Sequence, residues 1–239
     1  MSEMIHWKPA SESSGLAQGD LHLWRIWTDE RGLDVAWGLT LLDEPQRERM
    51  QRMRHVIHRD RYVRAHAGLR LILASYVSVP AQSICFERGS AGKPSLHPDL
   101  PVLSFNLTTS GDLALVGLCA GAESESQLGV DCEWMRPRIE IEAVAARMFE
   151  PDALAQLAAT PESERLETFY RYWTALEADA KSDGRGLFRP RAPEATPPTI
   201  MHCIPEPGYL AAVARARLPP LAQWQTFALE PACAGFHSA

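Results

Sequence analysis

Apolar residues at Leu166, Phe169, Trp173, Leu176 and Ala180 recur at spacings of three and four, which draws one stripe along a helix. Gly184 and Gly186 follow where such a helix would stop. The stretch 169–187 is therefore expected to be the helix that organises the chain. At about 100° per residue, Glu177 and Lys181 fall side by side at the edge of that stripe, where core meets solvent. Alone, such a pair is ordinary helix surface, contributing roughly 0.3–0.5 kcal/mol. A second period holds over 128–134, Leu-Gly-Val-Asp-Cys-Glu-Trp. A strand sends alternate side chains to one face, so Asp131 and Glu133 share a face, while Val130, Cys132 and Trp134 take the core side.

The pattern predicts the remaining elements in chain order. Residues 1–19 lack a period and read as a loose arm. Leu21 and Leu23, with 24–27 following, predict a strand. Asp43-Glu44-Pro45 is a helix start, and a helical period then runs, with a break near 56–59, through Tyr62, Ala65, Leu69 and Leu73 to Tyr76. Val79-Pro80 stops it. After a turn at 89–94, strands at 103–107 and 113–119 flank Thr108-Thr109-Ser110-Gly111-Asp112. Hydroxyls and backbone N–H groups in such a turn can cradle a phosphate, or simply form the turn. A polar loop covers 121–126, and a seam between two halves is expected around 110–125. Short helices follow near 141–148 and 151–159, and Thr160-Pro161-Glu162 opens the central helix with a capping pattern. Six prolines between 190 and 207 exclude regular helix there. An edge strand at 199–204, closing strands at 209–216 and 224–229, and a tail from 231 complete the chain.

Composition narrows the class. With 239 residues, 46% of them hydrophobic, the chain can bury a sizeable core as one large domain or two small ones. No apolar run approaches the ~20 residues of a membrane helix, and the N-terminus lacks a signal-peptide core, so a cytoplasmic protein without a membrane partner is expected. The five cysteines, 85, 119, 132, 203 and 233, include no C-x-x-C, which predicts free thiols and no structural metal. A net charge of −6 disfavours nucleic acid. Charge is uneven, however: Arg47, Arg49, Arg52, Arg54, Arg59, Arg61, Arg64 and Arg70 crowd one stretch. That suggests a small polyanion, with most of the eight serving structure.

Two carboxylates on one strand face repel, and an oxygen-only set of this kind suits Mg²⁺. Gly129-Val130-Asp131-Cys132-Glu133, followed some forty residues later by Trp173-x-x-x-Glu177-x-x-x-Lys181 and Gly184-x-Gly186-Leu187, resembles the paired signature of the 4′-phosphopantetheinyl transferases. Within that family it is similar to the longer, single-chain surfactin-synthetase type. Gly92-Lys93-Pro94 and Phe105-Asn106-Leu107-Thr108-Thr109-Ser110-Gly111 fit in order, so the likeness covers roughly residues 40 to 190.

The resemblance implies an α/β (α+β) fold of two pseudo-symmetric α/β halves with a cleft between them. It divides the chain into 1–115, with coenzyme-binding basic helices, and 116–239, with the metal-binding strand and central helix. It implies coenzyme A and Mg²⁺ in the cleft and transfer of phosphopantetheine to an acyl- or peptidyl-carrier protein of fatty acid, polyketide or nonribosomal peptide synthesis, by a monomer. Asp131, Glu133 and Glu177 would hold the metal, and Glu177 and Lys181 would be catalytic. Arg47, Arg64, Lys93, Pro94, Thr108, Thr109 and Lys181 would meet the coenzyme. Two positions depart from the family pattern: Leu176 replaces a lysine before the helix glutamate, and Thr109 a histidine. Leu176 falls in the apolar stripe and is expected to pack as core. A non-catalytic relative that binds coenzyme A or a carrier protein, and a metal-dependent phosphohydrolase, stay open on those departures.

Overall fold

Two sheets, each backed by a helix of 22 residues, make the fold. The computed structural model describes residues 2–13, 15–89, 92–120, 127–137 and 140–231. The chain opens with two short strands, β1 (Glu3–Met4) and β2 (Lys8–Pro9), then β3 (His22–Trp27). Three helices follow, α1 (Val35–Leu41), α2 (Glu44–Gln51) and α3 (Val56–Val77). A hairpin of β4 (Phe86–Arg88) and β5 (Pro94–Leu96) leads into β6 (Ser104–Ser110), β7 (Leu113–Cys119) and β8 (Leu128–Trp134). Then come α4 (Ile141–Met148), α5 (Pro151–Ala159) and α6 (Glu162–Asp183). The chain closes with β9 (Thr199–Ile204), β10 (Tyr209–Arg215) and β11 (Gln225–Leu229). The first sheet runs β2-β11-β3-β7-β6 under α3, and the second runs β1-β9-β10-β8 under α6. No described helix is long and apolar enough to cross a membrane.

Local chemistry explains most boundaries. Asp43 caps α2 by accepting from the Gln46 N–H while the Gln46 side chain accepts from the Asp43 N–H, a reciprocal box that satisfies two orphan donors. Arg70, fully buried on α3, donates to Gln46 Oε1 at 2.7 Å and to the carbonyls of Ala81 and Ile84 at 3.1 and 2.9 Å, and it pairs with Asp43. One side chain thus ties the start of α2 and the chain beyond α3 to the same helix. Arg59 donates to Met53 O at 2.7 Å, and Arg64 to Leu33 O and Thr28 O at 2.8 and 3.2 Å. Much of the arginine cluster is therefore structural.

Several sequence expectations need correction. Residues 2–9 are not a loose arm: β1 pairs in parallel with β9, and β2 with β11. Strands of two residues whose partners lie some two hundred residues away leave no local period. Helix α1, seven residues capped by Asp34, was likewise below the reach of a periodicity argument, as was the β4–β5 hairpin. Strand β9 carries β1 on its outer side only at Cys203 and Ile204, while residues 199–202 pair with β10 alone among the described strands. The turn expected over 108–112 shrinks to Gly111-Asp112, because Thr108, Thr109 and Ser110 pair with Leu115, Ala114 and Leu113 inside β6. Threonine is a turn residue by composition, yet its branched Cβ suits a strand equally. The polar loop at 121–126 and the tail after residue 231 lie outside the described residues.

The edges of the two sheets meet without a backbone ladder. Asn106 Oδ1 accepts from the Val130 N–H at 2.8 Å, Thr108 Oγ1 from the Cys132 N–H at 3.3 Å, and Ser110 Oγ from the Trp134 N–H at 3.0 Å. Alternate side chains of β6 so satisfy alternate backbone donors of β8, groups that an edge strand would otherwise leave unpaired.

Helix α6 also seats differently from its apolar stripe. Its buried positions are Phe169, Tyr170, Thr174, Ala178, Ala180 and Ser182. Leu166 and Trp173 are partly buried against the Phe169 cluster, whereas Leu176 is half-buried and belongs to none of the hydrophobic clusters. The cause is the close approach of helix and sheet. A Cβ added to Gly129 of β8 would stand 1.9 Å from Ala178 O and 2.6 Å from Ser182 N, so only small residues fit between them. Ala178 packs there on Ala212 and Ala214 of β10.

Candidate functional site

The seam brings β8 and α6 together at four charged side chains. Asp131, 2% exposed, accepts at Oδ1 from Lys181 Nζ at 2.5 Å and from Thr108 Oγ1 at 3.1 Å. Lys181 Nζ also stands 3.2 Å from Glu177 Oε2 and 3.5 Å from Thr108 Oγ1. The ammonium thus bridges the strand carboxylate and the helix carboxylate. Burial raises the Glu177 carboxyl to about 7, and the negative charge of Asp131 adds to the rise against the opposing pull of Lys181. Burial works to lower Lys181, but the carboxylates of Asp131 and Glu177 outweigh it and hold the ammonium above its ordinary range.

Glu133 shares the face of Asp131, as alternation requires, but keeps other company. Its Oε2 accepts from Ser110 Oγ at 2.6 Å and its Oε1 from Trp173 Nε1 at 3.2 Å. Trp134, expected on the core side, is 37% exposed instead, and Arg136 lies 4.8 Å from its ring centroid. At the strand's end the core gives way to a cavity, so alternation no longer fixes burial.

Among the described residues no group of three or more His, Cys, Asp or Glu side chains is placed to hold a metal ion. Two features nevertheless fit a divalent cation. Asp131 Oδ2 is buried and has no hydrogen-bond partner among the described residues, and one ammonium, that of Lys181, serves the two carboxylates of Asp131 and Glu177. An oxygen-only pair that is short of positive charge suits Mg²⁺. Asp131 and Glu177 are its best donors, with Glu133 one step along the same strand face.

Two cavities adjoin this cluster. One of about 330 Å³ is lined by Glu177, Lys181, Lys93, Pro94, Gly186 and Leu187 among others. A larger one, about 750 Å³, shares Pro94, Asn106 and Leu107 with it. The larger cavity carries Arg49, Arg61, Arg88 and Arg136, together with Tyr62 and the exposed Thr109. His66 also lines it, and burial followed by the charges of Arg49 and Arg70 pushes His66 down to about 3, so it is neutral at pH 7. Arg61 pairs with Asp112.

The anticipated coenzyme residues divide accordingly. Pro94 and Thr109 line cavities. Arg47 and Arg64 do not line the larger one, where Arg49 and Arg88 stand instead. Lys93 lies in the cavity wall, but its ammonium donates to Leu128 O at 2.9 Å and Ser182 O at 2.7 Å, and burial lowers it to about 8. It braces β8 against the end of α6. Thr108 is buried and points at Asp131. Sequence reasoning missed Arg88 and Arg136 as cavity residues, and it named Asn106 and Ser110 within the motif without foreseeing their place at the seam. Only the arginine-rich composition near Arg49 offered any signal for that wall.

Comparison with known proteins places the chain in a family. The family model of the 4′-phosphopantetheinyl transferase superfamily matches residues 127–214, which span β8 and α6 and reach into β10. Over 88% of this chain and 93% of the relative, the sequence is 31% identical to 4′-phosphopantetheinyl transferase HetI of Nostoc sp.. It is 28% identical to 4′-phosphopantetheinyl transferase ffp of Bacillus subtilis, over 75% of this chain and 84% of that one. Identity to 4′-phosphopantetheinyl transferase Sfp of Bacillus subtilis is 27%, over 64% of each.

Proposed function

The chain belongs to the 4′-phosphopantetheinyl transferase superfamily and is a transferase of that type, and from that premise we propose its reaction. It moves 4′-phosphopantetheine from coenzyme A, in a Mg²⁺-dependent step, onto a serine of an acyl- or peptidyl-carrier protein. The observation that carries this reading is the meeting of Glu177 and Lys181 with buried Asp131 beside a cavity rich in arginine.

In that step the serine Oγ forms a bond to the phosphorus that bears the pantetheine arm. The bond from that phosphorus to the bridging pyrophosphate oxygen breaks, and adenosine 3′,5′-bisphosphate leaves. The serine proton passes to Glu177, the carboxylate that lines the cavity beside Lys181. Lys181 keeps its proton, held by Asp131, and faces the charge that grows on the leaving group. Asp131 and Glu177, helped by Glu133, would hold Mg²⁺, which supplies charge neutralisation at the pyrophosphate. Arg49 and Arg88 are better suited than Arg47 and Arg64 to the nucleotide phosphates, and Pro94 and Thr109 line the coenzyme's path. Thr108 acts by orienting Asp131, and Lys93 by bracing the wall. Residues 1–115 then carry coenzyme binding, and 116–239 the metal and the central helix. Because residue 115 falls inside β7, that line divides tasks and not folding units.

The test is to incubate the protein with coenzyme A, Mg²⁺ and a panel of apo-carriers, then weigh the carriers. One phosphopantetheine arm should appear on at least one carrier and fail to appear when a chelator is present. If no carrier gains mass while a known transferase modifies the same panel, the reading fails. Undiminished transfer in chelator would remove the metal from it.

A further inference from the structure

Phe188 is the most exposed large hydrophobic side chain among the described residues, at 76%. Its neighbour Leu187 is half-buried and lines the cavity that holds Glu177 and Lys181. The two stand at the corner of a four-residue turn closed by the Arg189 N–H on Gly186 O at 3.2 Å. Gly184 and Gly186, at φ 71 and 82, reverse the chain after α6 as residues with a Cβ rarely can. Leu187 therefore faces the site while Phe188 is presented to solvent at its rim.

The turn is braced on both sides. Arg185 Nε donates to Arg189 O at 3.1 Å, and its guanidinium pairs with Asp179 and with Asp183, the latter at 2.8 Å. Arg191 grips the same two carboxylates, at 2.5 and 3.1 Å. All four side chains are at most 20% exposed, so this network is screened less than ordinary surface pairs. The aromatic ring is thus displayed on a fixed support. Arg147 lies 5.8 Å from the ring centroid, and Arg147 and Arg189 are both exposed. Neither takes part in an ion pair among the described residues.

We propose that Phe188, flanked by Arg147 and Arg189, is the docking post for the carrier protein, its ring entering an apolar recess on a negatively charged carrier face. The proposal rests on the transfer reading above. A small coenzyme held inside a cavity gains little from a ring that faces outward. A protein acceptor must instead arrive at the rim, and aromatic and arginine anchors dominate such interfaces. Positive charge at this spot in a chain of net charge −6 also gives an acidic partner a place to land against the general repulsion.

Carrier and coenzyme titrations of Phe188→Ala, Phe188→Tyr and the double variant Arg147→Glu/Arg189→Glu test this. Phe188→Ala should raise KM for the carrier about tenfold or more, leaving KM for coenzyme A and kcat at saturating carrier within about twofold. Phe188→Tyr should keep the parent KM. The charge-reversed variant should lose kcat/KM for the carrier and most of its salt dependence, with unchanged melting. An unaltered carrier KM in Phe188→Ala, or a rise in the coenzyme KM instead, overturns the docking post while leaving the transfer reading intact. A parent that loads no carrier removes the transfer reading, and the docking post falls with it.

Discussion

Glu177→Gln is expected to cut kcat for carrier loading by about 10²–10⁴-fold and, in metal-free buffer at pH 8, to raise the melting temperature. Both effects come from one environment. Burial and the charge of Asp131 lift the Glu177 carboxyl from an ordinary 4.5 to about 7. Between those values the folded protein binds more protons than the unfolded chain, so stability falls as pH rises from about 4.5 and the full penalty is present above 7. Glutamine keeps the shape, removes the charge and can donate to Asp131. The gain at pH 8 should be roughly 1–3 kcal/mol, the lower part of the range reflecting partial exposure and the compensating contact with Lys181. For a chain of this size that is about 2–12 °C, and it should vanish near pH 4.5. Melts of parent and variant across pH 4.5–8, beside single-turnover loading assays, check both halves of the claim. A variant that loads carriers at the parent rate would exclude Glu177 as the base. One that melts lower at pH 8 would contradict the raised carboxyl.

Gly129→Ala should be among the most damaging single methyl groups that the chain could receive. The added Cβ would meet Ala178 O at 1.9 Å and Ser182 N at 2.6 Å, both backbone atoms in a helix that cannot yield locally. Either α6 lifts from β8 or the strand bends, and overpacking of this kind costs more than about 3 kcal/mol when backbone must move. A fall of about 10 °C in melting temperature follows for a protein of this size. The displacement also separates Glu177 and Lys181 on α6 from Asp131 on β8, and an error of about 1 Å in such a cluster can cost 10²-fold in rate. Loading assays run well below the melting point separate the two losses. A variant within about 1 kcal/mol of the parent that loads carriers normally would mean that α6 does not rest on the strand so closely.

The parts of the site differ in how far the sequence betrayed them. The Glu177–Lys181 neighbourhood is a property of one helix, and the shared face of Asp131 and Glu133 a property of one strand, so period alone exposed both. Their meeting depends on α6 crossing β8, a long-range fact that only the likeness to a known family suggested. The seam was out of reach for the same reason. Asn106, Thr108 and Ser110 read as a strand end and a turn until β8 is laid beside them, whereupon each finds a backbone donor. Leu176 misled because an apolar residue at helical spacing is ordinarily core. Here the tight seat on Gly129 turns the small face of α6 inward and leaves Leu176 half-buried. Arg88 and Arg136 reach the cavity from separate elements, and nothing local marks either one.

The strand crossings between the sheets also set an order of events during synthesis. Strand β11 lies between β2 and β3, with Phe227 opposite both Lys8 and Trp24. While the polypeptide emerges from the ribosome, β3 can pair with β7 early, but its other edge stays bare until residues 225–229 have been made. An unpaired strand edge invites pairing with other chains, and contacts across such sequence distances form slowly. The first sheet, begun almost at once, is therefore finished last. A nascent chain stalled shortly before β11 would expose its edge in the half of the molecule synthesised longest ago.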